Sequence, residues 1–142
     1  MKNNLSIKKN ELRKKQFIIR KKIFSKVTNV FNESLFENLF NKINFDNIKI
    51  ISSFTSINTE IDTALLNGYI LKKKKFLCLP VVLEKDQPLI FREFTSSENM
   101  TEGFMKIKEP QKNNKILVPD LLFVPCLAFD SFGFRLGYGG GY

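Results

Sequence analysis

The chain has 142 residues, of which 43% are hydrophobic and 13% aromatic, with 15 Phe and no Trp. This length and apolar content suffice for one compact domain with a hydrophobic core, and they exclude an intrinsically disordered chain. The net charge is +9, but the excess lies in residues 1–26, where ten Lys or Arg accompany a single acid, Glu11.

Membrane and metal-site patterns are missing from the sequence. The longest nearly uninterrupted apolar run, Leu121 to Phe129, contains a proline and is far shorter than the ~20 residues of a membrane helix. No apolar segment follows the basic N-terminus, which predicts a cytoplasmic protein without a secretory signal. Cys78 and Cys126 lie in apolar segments and the chain has no His, so we predict two reduced core thiols.

The first predicted element is a long helix from Ser6 to Val27, with Ser6 as its N-cap. A narrow apolar stripe along it is formed by Leu12, Ile19, Ile23 and Val27, and a second helix over residues 32–43 has a broader apolar face. A helix with this much positive charge could bind nucleic acid, a membrane surface or a polyphosphate. Alternatively, its charged face could simply be solvated. Composition alone leaves these alternatives open.

The central part of the chain predicts a strand, a helix and a second strand, which is the pattern of a crossover unit. The strands are residues 47–54 and 76–83, and Thr59 is the expected N-cap of the helix between them. The four lysines Lys72 to Lys75 close that helix, where positive charge is favourable, so we interpret them as structural.

The C-terminal third predicts a half-exposed strand over residues 88–95 and mostly loop over residues 96–118. Residues 120–125 (DLLFVP) are apolar enough for a strand that a parallel sheet buries on both faces. A turn-rich and glycine-rich segment follows this strand, at the end where α/β folds bind their ligands.

The segment from Arg135 to Tyr142 (RLGYGGGY) carries four glycines in five positions. Backbone amides without side chains can approach a bound anion closely, so the segment is typical of a phosphate-binding loop. It is not a Walker A loop, because no Lys-Ser or Lys-Thr follows the last glycine, and it lacks the GxGxxG spacing of dinucleotide sites. A flexible linker is the alternative for glycines taken alone.

The longer segment over residues 120–142, DLLFVPCLAFDSFGFRLGYGGGY, is similar to the signature of the 5-formyltetrahydrofolate cyclo-ligase (methenyltetrahydrofolate synthetase) family. The segments KNELR and SFTSINTEIDT and the strand from Lys75 to Pro80 agree with it in order and spacing, and Glu109-Pro110 is a looser match. The resemblance implies an α/β three-layer fold with a largely parallel central sheet and a single domain over residues 1–142. It also implies an enzyme that uses ATP and a divalent cation, normally Mg²⁺, to convert 5-formyltetrahydrofolate into 5,10-methenyltetrahydrofolate, ADP and phosphate.

The resemblance assigns ATP ligands at both ends of the chain. Lys9 and Arg13 are four residues apart, hence on one helical face, where both can point toward the same polyphosphate. Arg135 corresponds to a phosphate-contacting arginine. Arg135 and Tyr142 are the two expected catalytic residues. The loop that nucleotide and folate share comprises Gly137, Tyr138, Gly139, Gly140, Gly141 and Tyr142.

On the folate side, Glu60 matches a substrate-contacting glutamate, whose carboxylate could accept hydrogen bonds from a pterin edge. Without the resemblance, Glu60 would pass for an acid near a helix start. Thr55 is expected in the pocket wall, and Tyr138 and Tyr142 are expected to face the substrate. Asp130 is interpreted as the turn residue that organises the loop, and a direct catalytic role is the less favoured alternative.

The family loop continues into a second tyrosine, an aspartate associated with magnesium, a helix and further strands. In this chain all of these would lie beyond Tyr142, so the resemblance implies a truncated chain without its metal-side acid, and we expect little turnover from it. No metal ligand is assigned. We expect a monomer that binds ATP and 5-formyltetrahydrofolate, with no nucleic-acid or membrane partner. The alternatives are a nucleic-acid-binding module built on the basic helix and a non-catalytic remnant that still binds nucleotide or folate.

Overall fold

A computed structural model of the chain describes residues 2–26, 33–104 and 106–140. These residues form two compact units, one of residues 2–26 and 125–140 and the other of residues 33–124 without residue 105. The elements in chain order are α1 (Lys2–Phe24), α2 (Glu33–Lys42), β1 (Ile50–Ser52), α3 (Ala64–Lys72), β2 (Phe76–Val81), β3 (Ile90–Glu93), β4 (Met100–Glu102), β5 (Lys108–Pro110), β6 (Leu121–Leu122), β7 (Ala128–Phe129) and β8 (Arg135–Leu136).

A four-stranded sheet with the order β3-β2-β1-β6 forms the centre of the larger unit. Strand β1 is parallel to both of its neighbours, and Ile51 lies opposite Leu77 of β2 and Leu121 of β6. Strand β3 pairs with β2 in the antiparallel direction. Helix α3 connects β1 to β2, as the predicted crossover unit requires. The predicted α/β fold with a largely parallel central sheet is therefore confirmed.

The core of this unit lies between the sheet and the two helices α2 and α3. Ile51 and Leu77 of the sheet are fully buried, and aromatic rings of the helices cover them. The Phe40 ring stacks on that of Phe45 at 4.1 Å between centroids and meets the Tyr69 ring edge-on at 4.9 Å. Offset and edge-on ring contacts of this kind add to the stabilisation that apolar burial provides.

Strand β6 differs from its prediction as a strand buried on both faces. It lies at the edge of the sheet, and its side chains alternate in burial. Leu121 and Phe123 pack against the core, whereas Leu122 and Val124 are each 45% exposed. The sequence of residues 121–125 could not reveal this alternation, because it contains no polar residue to mark the exposed face.

The Asp120 carboxylate fixes the start of β6 against β1. One of its oxygens, Oδ2, accepts hydrogen bonds from the backbone amides of Lys49 and Ile50, both at 2.9 Å. These two bonds favour the ionised carboxylate, so they lower the pKa of Asp120 from its ordinary value. Ionised Asp120 therefore stabilises the β1–β6 register.

This hydrogen bonding predicts a pH-dependent contribution to stability. Because the pKa of Asp120 is lower in the folded state, the unfolded state binds more protons, and the contribution is lost as the pH falls. The urea midpoint of the native chain should exceed that of Asp120→Asn at neutral pH, and the gap should narrow below about pH 4. Asp46→Asn is the matched control, since this exposed carboxylate has no partner among the described residues. A gap that stays constant from neutral pH to pH 3 would contradict the assignment.

Several element boundaries differ from the predictions. Helix α1 begins at Lys2, so Ser6 lies inside it and is not its N-cap. The predicted end, Val27, lies outside the described residues.

Among the described residues, none of the helices combines the length and apolar character needed to cross a membrane. Cys78 is a buried free thiol, as predicted, whereas the free Cys126 is half-buried.

Helix α3 begins at Ala64 with Thr63 as its N-cap, so the prediction of Thr59 was wrong. A tight turn occupies the earlier position, where the Glu60 amide donates to the Ile57 carbonyl at 3.0 Å. The Ala64 amide donates instead to the Asp62 side chain at 2.9 Å. Glu60 therefore lies in a loop before the helix.

Two of the four lysines at the end of α3 make contacts that agree with a structural interpretation. Lys73 lies 5.1 Å from the centroid of the Tyr69 ring, and the Lys75 ammonium donates to the Phe45 carbonyl at 2.9 Å. The segment predicted as loop over residues 96–118 contains the hairpin of β4 and β5. These strands have three residues each, too short to show a period of two.

Candidate functional site

One face of α1 contacts the segment that contains the glycine-rich loop. Within residues 4–26 only Arg13, Gln16 and Arg20 are partly buried, and their spacing of three and four residues places them on one face. Arg13 Nε donates to the Gly137 carbonyl at 3.0 Å, and its terminal nitrogen donates to Asn10 Oδ1 at 2.6 Å. The predicted ATP ligand Arg13 therefore lies against the predicted phosphate loop.

Arg20, two turns further along the same face, contacts the next residue of the loop. Its guanidinium donates a hydrogen bond to the Tyr138 hydroxyl and lies 5.0 Å from the centroid of the Tyr138 ring. The Phe17 ring is also close, with its centroid 5.7 Å from the guanidinium carbon. Arg20 was not predicted from the sequence, because its spacing from Arg13 does not set it apart from the other basic residues of α1.

A hairpin of β7 and β8 precedes the loop, and Asp130 forms its turn. Oδ1 of Asp130 accepts hydrogen bonds from the amides of Phe132 at 3.0 Å and Phe134 at 2.9 Å. The Leu127 amide closes the other end of the hairpin by donating to the Leu136 carbonyl at 2.7 Å. The interpretation of Asp130 as a turn residue is confirmed, and the hairpin provides a defined start for the loop.

The other predicted residues of this unit are exposed. Lys9 lies one turn before Arg13 on α1, and Arg135 lies on β8. Within the described part of the chain, neither side chain has a hydrogen-bond or ion-pair partner. Both cations are therefore available to an anionic ligand. Gly140 is exposed, whereas the predicted contacts of Gly141 and Tyr142 lie outside the described residues.

Gly139 has a backbone conformation that favours glycine, and it has a close neighbour. Its φ is +94°, a value that other residues rarely adopt. A Cβ atom at this position would lie 3.1 Å from Arg13 Cζ. In contrast, a Cβ atom at Gly137 would meet nothing within 4 Å.

These two glycines give a matched pair of substitutions. We expect Gly139→Ala to raise the rate of chymotrypsin cleavage after Tyr138 by about tenfold, because strain of about 1–2 kcal/mol favours opening of the loop. Gly137→Ala should cleave at nearly the native rate. Mass spectrometry can quantify this cleavage separately from cleavage at the exposed phenylalanines. Equal rates in the two variants would show that the conformation at Gly139 does not hold the loop.

The folate-side candidates lie in the second unit, in the loop after β1. Glu60 is buried, with 7% of its surface exposed, and its Oε2 accepts from the Ile57 amide at 2.9 Å. No partner of the second carboxylate oxygen is found among the described residues, so that oxygen can accept from a ligand. Thr55 is half-buried, and its hydroxyl donates to the Lys108 carbonyl of β5 at 2.8 Å.

Hydroxyl side chains hold this loop in a fixed conformation. Thr63 donates to the Phe54 carbonyl at 2.6 Å and contacts the Ser56 hydroxyl at 3.0 Å, while Ser56 donates to the Ile61 carbonyl at 2.5 Å. The loop is therefore anchored at its start and at the N-terminus of α3. Glu60 is presented from a pre-organised segment, which reduces the entropy that a ligand-contacting loop would lose on binding.

The fold and these sites indicate the class of protein. A largely parallel α/β sheet and a glycine-rich loop next to helix arginines are typical of α/β proteins that bind phosphate-containing ligands. A family model described as the 5-formyltetrahydrofolate cyclo-ligase family matches residues 5–142, and the chain belongs to this family.

Individual relatives agree with this membership. The chain is 31% identical to the 5-formyltetrahydrofolate cyclo-ligase of Escherichia coli K12 over 97 residues, which are 65% of this chain and 53% of that protein. It is 31% identical to the Haemophilus influenzae cyclo-ligase over 115 residues, which are 78% of this chain and 62% of that protein. The chain thus spans between about half and three fifths of the length of these relatives.

Solved structures show the same fold. The NMR structure of 5,10-methenyltetrahydrofolate synthetase from Aquifex aeolicus superposes with a TM-score of 0.71 at 29% identity, over 92% of this chain and 67% of that one. A 5,10-methenyltetrahydrofolate synthetase from Mycoplasma pneumoniae superposes with a TM-score of 0.63 over 94% of this chain and 73% of that one. At 18% identity, the second match supports the fold alone.

Proposed function

We propose that residues 1–142 belong to a single cyclo-ligase domain that uses ATP to convert 5-formyltetrahydrofolate into 5,10-methenyltetrahydrofolate, ADP and phosphate. The observation that carries this proposal is the hydrogen bond from Arg13 to the Gly137 carbonyl, because it joins the basic helix to the glycine-rich loop. The chain belongs to the cyclo-ligase family, and we assign the basic charge of α1 to the binding of a nucleotide.

The reaction requires activation of an amide oxygen, which is a poor leaving group. In the proposed first step, the formyl oxygen attacks the γ-phosphorus, the new O–P bond forms and ADP leaves. The N10 nitrogen then attacks the activated formyl carbon and loses its proton to solvent, and the C–O bond breaks as phosphate departs. Negative charge lies on phosphate oxygens throughout, so positioned cations and amides are the groups that accelerate both steps.

The cations of the smaller unit suit that role. We propose that Lys9 and Arg13 bind the polyphosphate of ATP and that Arg135 contacts the transferred phosphate. The amides of the loop from Gly137 to Tyr142 would line the phosphates, with Arg135 and Tyr142 as the catalytic pair. The support for these roles is the exposure of the Lys9 and Arg135 cations and the placement of Arg13 on the loop.

Folate recognition is proposed for Glu60 and Thr55, with Tyr138 and Tyr142 also contacting the substrate. A pterin edge presents N–H donors, and the carboxylate oxygen of Glu60 without a described partner is a suitable acceptor. Because Glu60 is buried, a hydrogen bond from folate to it would form with little competition from water.

The described residues do not form a metal site of their own. In the ranges 2–26, 33–104 and 106–140, no three side chains of His, Cys, Asp or Glu are grouped so that they could hold a metal ion. Magnesium in ATP-using sites is bound mainly by phosphate oxygens and water, with one or two carboxylates. We propose that Mg²⁺ arrives with ATP, bound to its phosphate oxygens.

Near-ultraviolet absorbance of methenyltetrahydrofolate tests the function. The chain and a version extended with the C-terminal region of the Haemophilus influenzae relative are mixed with 5-formyltetrahydrofolate, ATP and Mg²⁺. We expect ATP-dependent product in the extended version, and saturable ATP binding by both versions in equilibrium dialysis. If neither version forms product or binds ATP, the proposal is wrong.

A further inference from the structure

The contacts of Arg20 place a second helix residue on the glycine-rich loop. Its guanidinium lies near two aromatic rings, those of Phe17 and Tyr138, and donates to the Tyr138 hydroxyl. The partial burial of Arg20 distinguishes it from the exposed lysines that follow it on α1. Arg20 is therefore part of a built cluster, whereas most basic residues of this helix are solvated.

An arginine suits this position for a physical reason. The flat guanidinium can face an aromatic ring and donate hydrogen bonds from its edge in a fixed geometry, whereas a lysine ammonium is a flexible point charge. Tyr138 lies between Gly137 and Gly139, so it carries the only side chain in that stretch of the loop. Glycine backbone loses much entropy when it is ordered, and a fixed side chain between two glycines limits what the loop can sample.

Arg13 and Arg20 hold the loop at two points along α1. They are seven residues apart, which is about 10 Å along a helix axis and nearly the same direction around it. Arg13 holds the loop backbone at Gly137, and Arg20 holds the next side chain. Two anchors restrict both the position and the rotation of the segment, whereas one anchor would leave it free to swing.

We propose that Arg20 is a positioning residue that holds Tyr138 on α1 and thereby keeps the glycine-rich loop in its nucleotide-binding conformation. This inference rests on the proposed function, in which the loop binds the phosphates of ATP. Arg20 acts through Tyr138, so its effect on ATP affinity depends on that side chain. A direct phosphate ligand would act whether or not Tyr138 were present.

The contact itself can be observed without any ligand. The chain contains three tyrosines, so 3-fluorotyrosine labelling gives three fluorine resonances, and Tyr138→Phe identifies that of Tyr138. We expect Arg20→Ala to shift and narrow this resonance, because the ring loses its cation and becomes mobile. Lys14→Ala removes one exposed charge of α1 and should leave the resonance unchanged. Should Arg20→Ala not fold, Arg20→Lys provides the same comparison with a smaller change.

ATP affinity then tests the positioning role. We expect Arg20→Ala to weaken ATP binding by about tenfold, because a loop that has lost its anchor at Tyr138 must be ordered when ATP binds. Arg20→Lys should lie between this variant and the native chain, and Lys14→Ala should change affinity by less than about twofold. In a Tyr138→Leu background, Arg20→Ala should have little further effect.

Each other outcome overturns the proposal in a distinct way. An unchanged Tyr138 resonance in Arg20→Ala means that the contact does not exist in solution. Equal losses of ATP affinity with and without Tyr138 make Arg20 a direct ligand, and equal losses in Lys14→Ala make the effect one of net charge. If the native chain binds no ATP, the proposed function fails as well, whereas native binding with no loss in Arg20→Ala removes the positioning role alone.

Discussion

Replacement of Arg13 by alanine is expected to weaken ATP binding by on the order of 1.5–3 kcal/mol, the value of a hydrogen bond to a charged group. The substitution removes a cation and also releases the Gly137 carbonyl, so the loop loses an anchor at the same time. Arg13→Lys keeps the charge without the fixed geometry of the guanidinium and should recover only part of the affinity. Folate affinity should change less. Isothermal titration with ATP and with 5-formyltetrahydrofolate measures both.

Variants of Lys9 and Lys14 separate the two roles of Arg13, which are to supply a cation and to hold the loop. Lys9→Ala should lower ATP affinity while leaving the loop in place, because the Lys9 ammonium has no described contact with it. Lys14→Ala, which removes the next basic side chain after Arg13, is the control for net charge. The assignment of the α1 face to nucleotide would be wrong if Arg13→Ala and Lys9→Ala both bound ATP as the native chain does.

Replacement of Glu60 by glutamine should lower folate affinity by a similar 1.5–3 kcal/mol while leaving ATP affinity nearly unchanged. The glutamine oxygen can still accept from the Ile57 amide, so the loop after β1 should keep its conformation. The substitution therefore removes the charge without removing the local support. Glu84→Gln, at an exposed position of the same unit, is the matched control.

Two measurements make this result decisive. Folate binding by fluorescence titration should show the loss, and thermal unfolding should show that Glu60→Gln remains as stable as the control to within about 1 kcal/mol. An equal loss of nucleotide affinity would mean that Glu60 organises the site as a whole. A loss of stability without a selective loss of folate affinity would make Glu60 a structural residue of the loop.

The sequence predicts the order of the main elements well because hydrophobic periodicity and short apolar runs are local signals. Strand β1, helix α3 and strand β2 all appear near their predicted positions. The start of α3 was misplaced because Thr59 and Thr63 are equally good caps in sequence, and the turn around Glu60 decides between them. The hairpin of β4 and β5 escaped prediction because its pairing is tertiary and its strands are short.

The site was predictable to a different extent at each residue. Helical spacing places Lys9 and Arg13 together, and the family resemblance assigns their role. Nothing local distinguishes Arg20 among the ten basic residues of the first 26, because its partner Tyr138 is 118 residues away. The burial of Glu60 likewise depends on the turn before α3, which sequence patterns did not reveal.

The smaller unit combines residues 2–26 with residues 125–140, which lie far apart in the sequence. This separation affects the order in which the chain folds. Helix α1 emerges first from the ribosome, but the segment that it contacts is made only after residue 125. The bond between Arg13 and Gly137 spans 124 residues, and closing so long a flexible chain costs on the order of 4 kcal/mol in entropy. Prior folding of the intervening unit would shorten the flexible path between these residues and reduce that cost. We therefore expect α1 to gain protection from hydrogen exchange last during refolding, after the central sheet has formed.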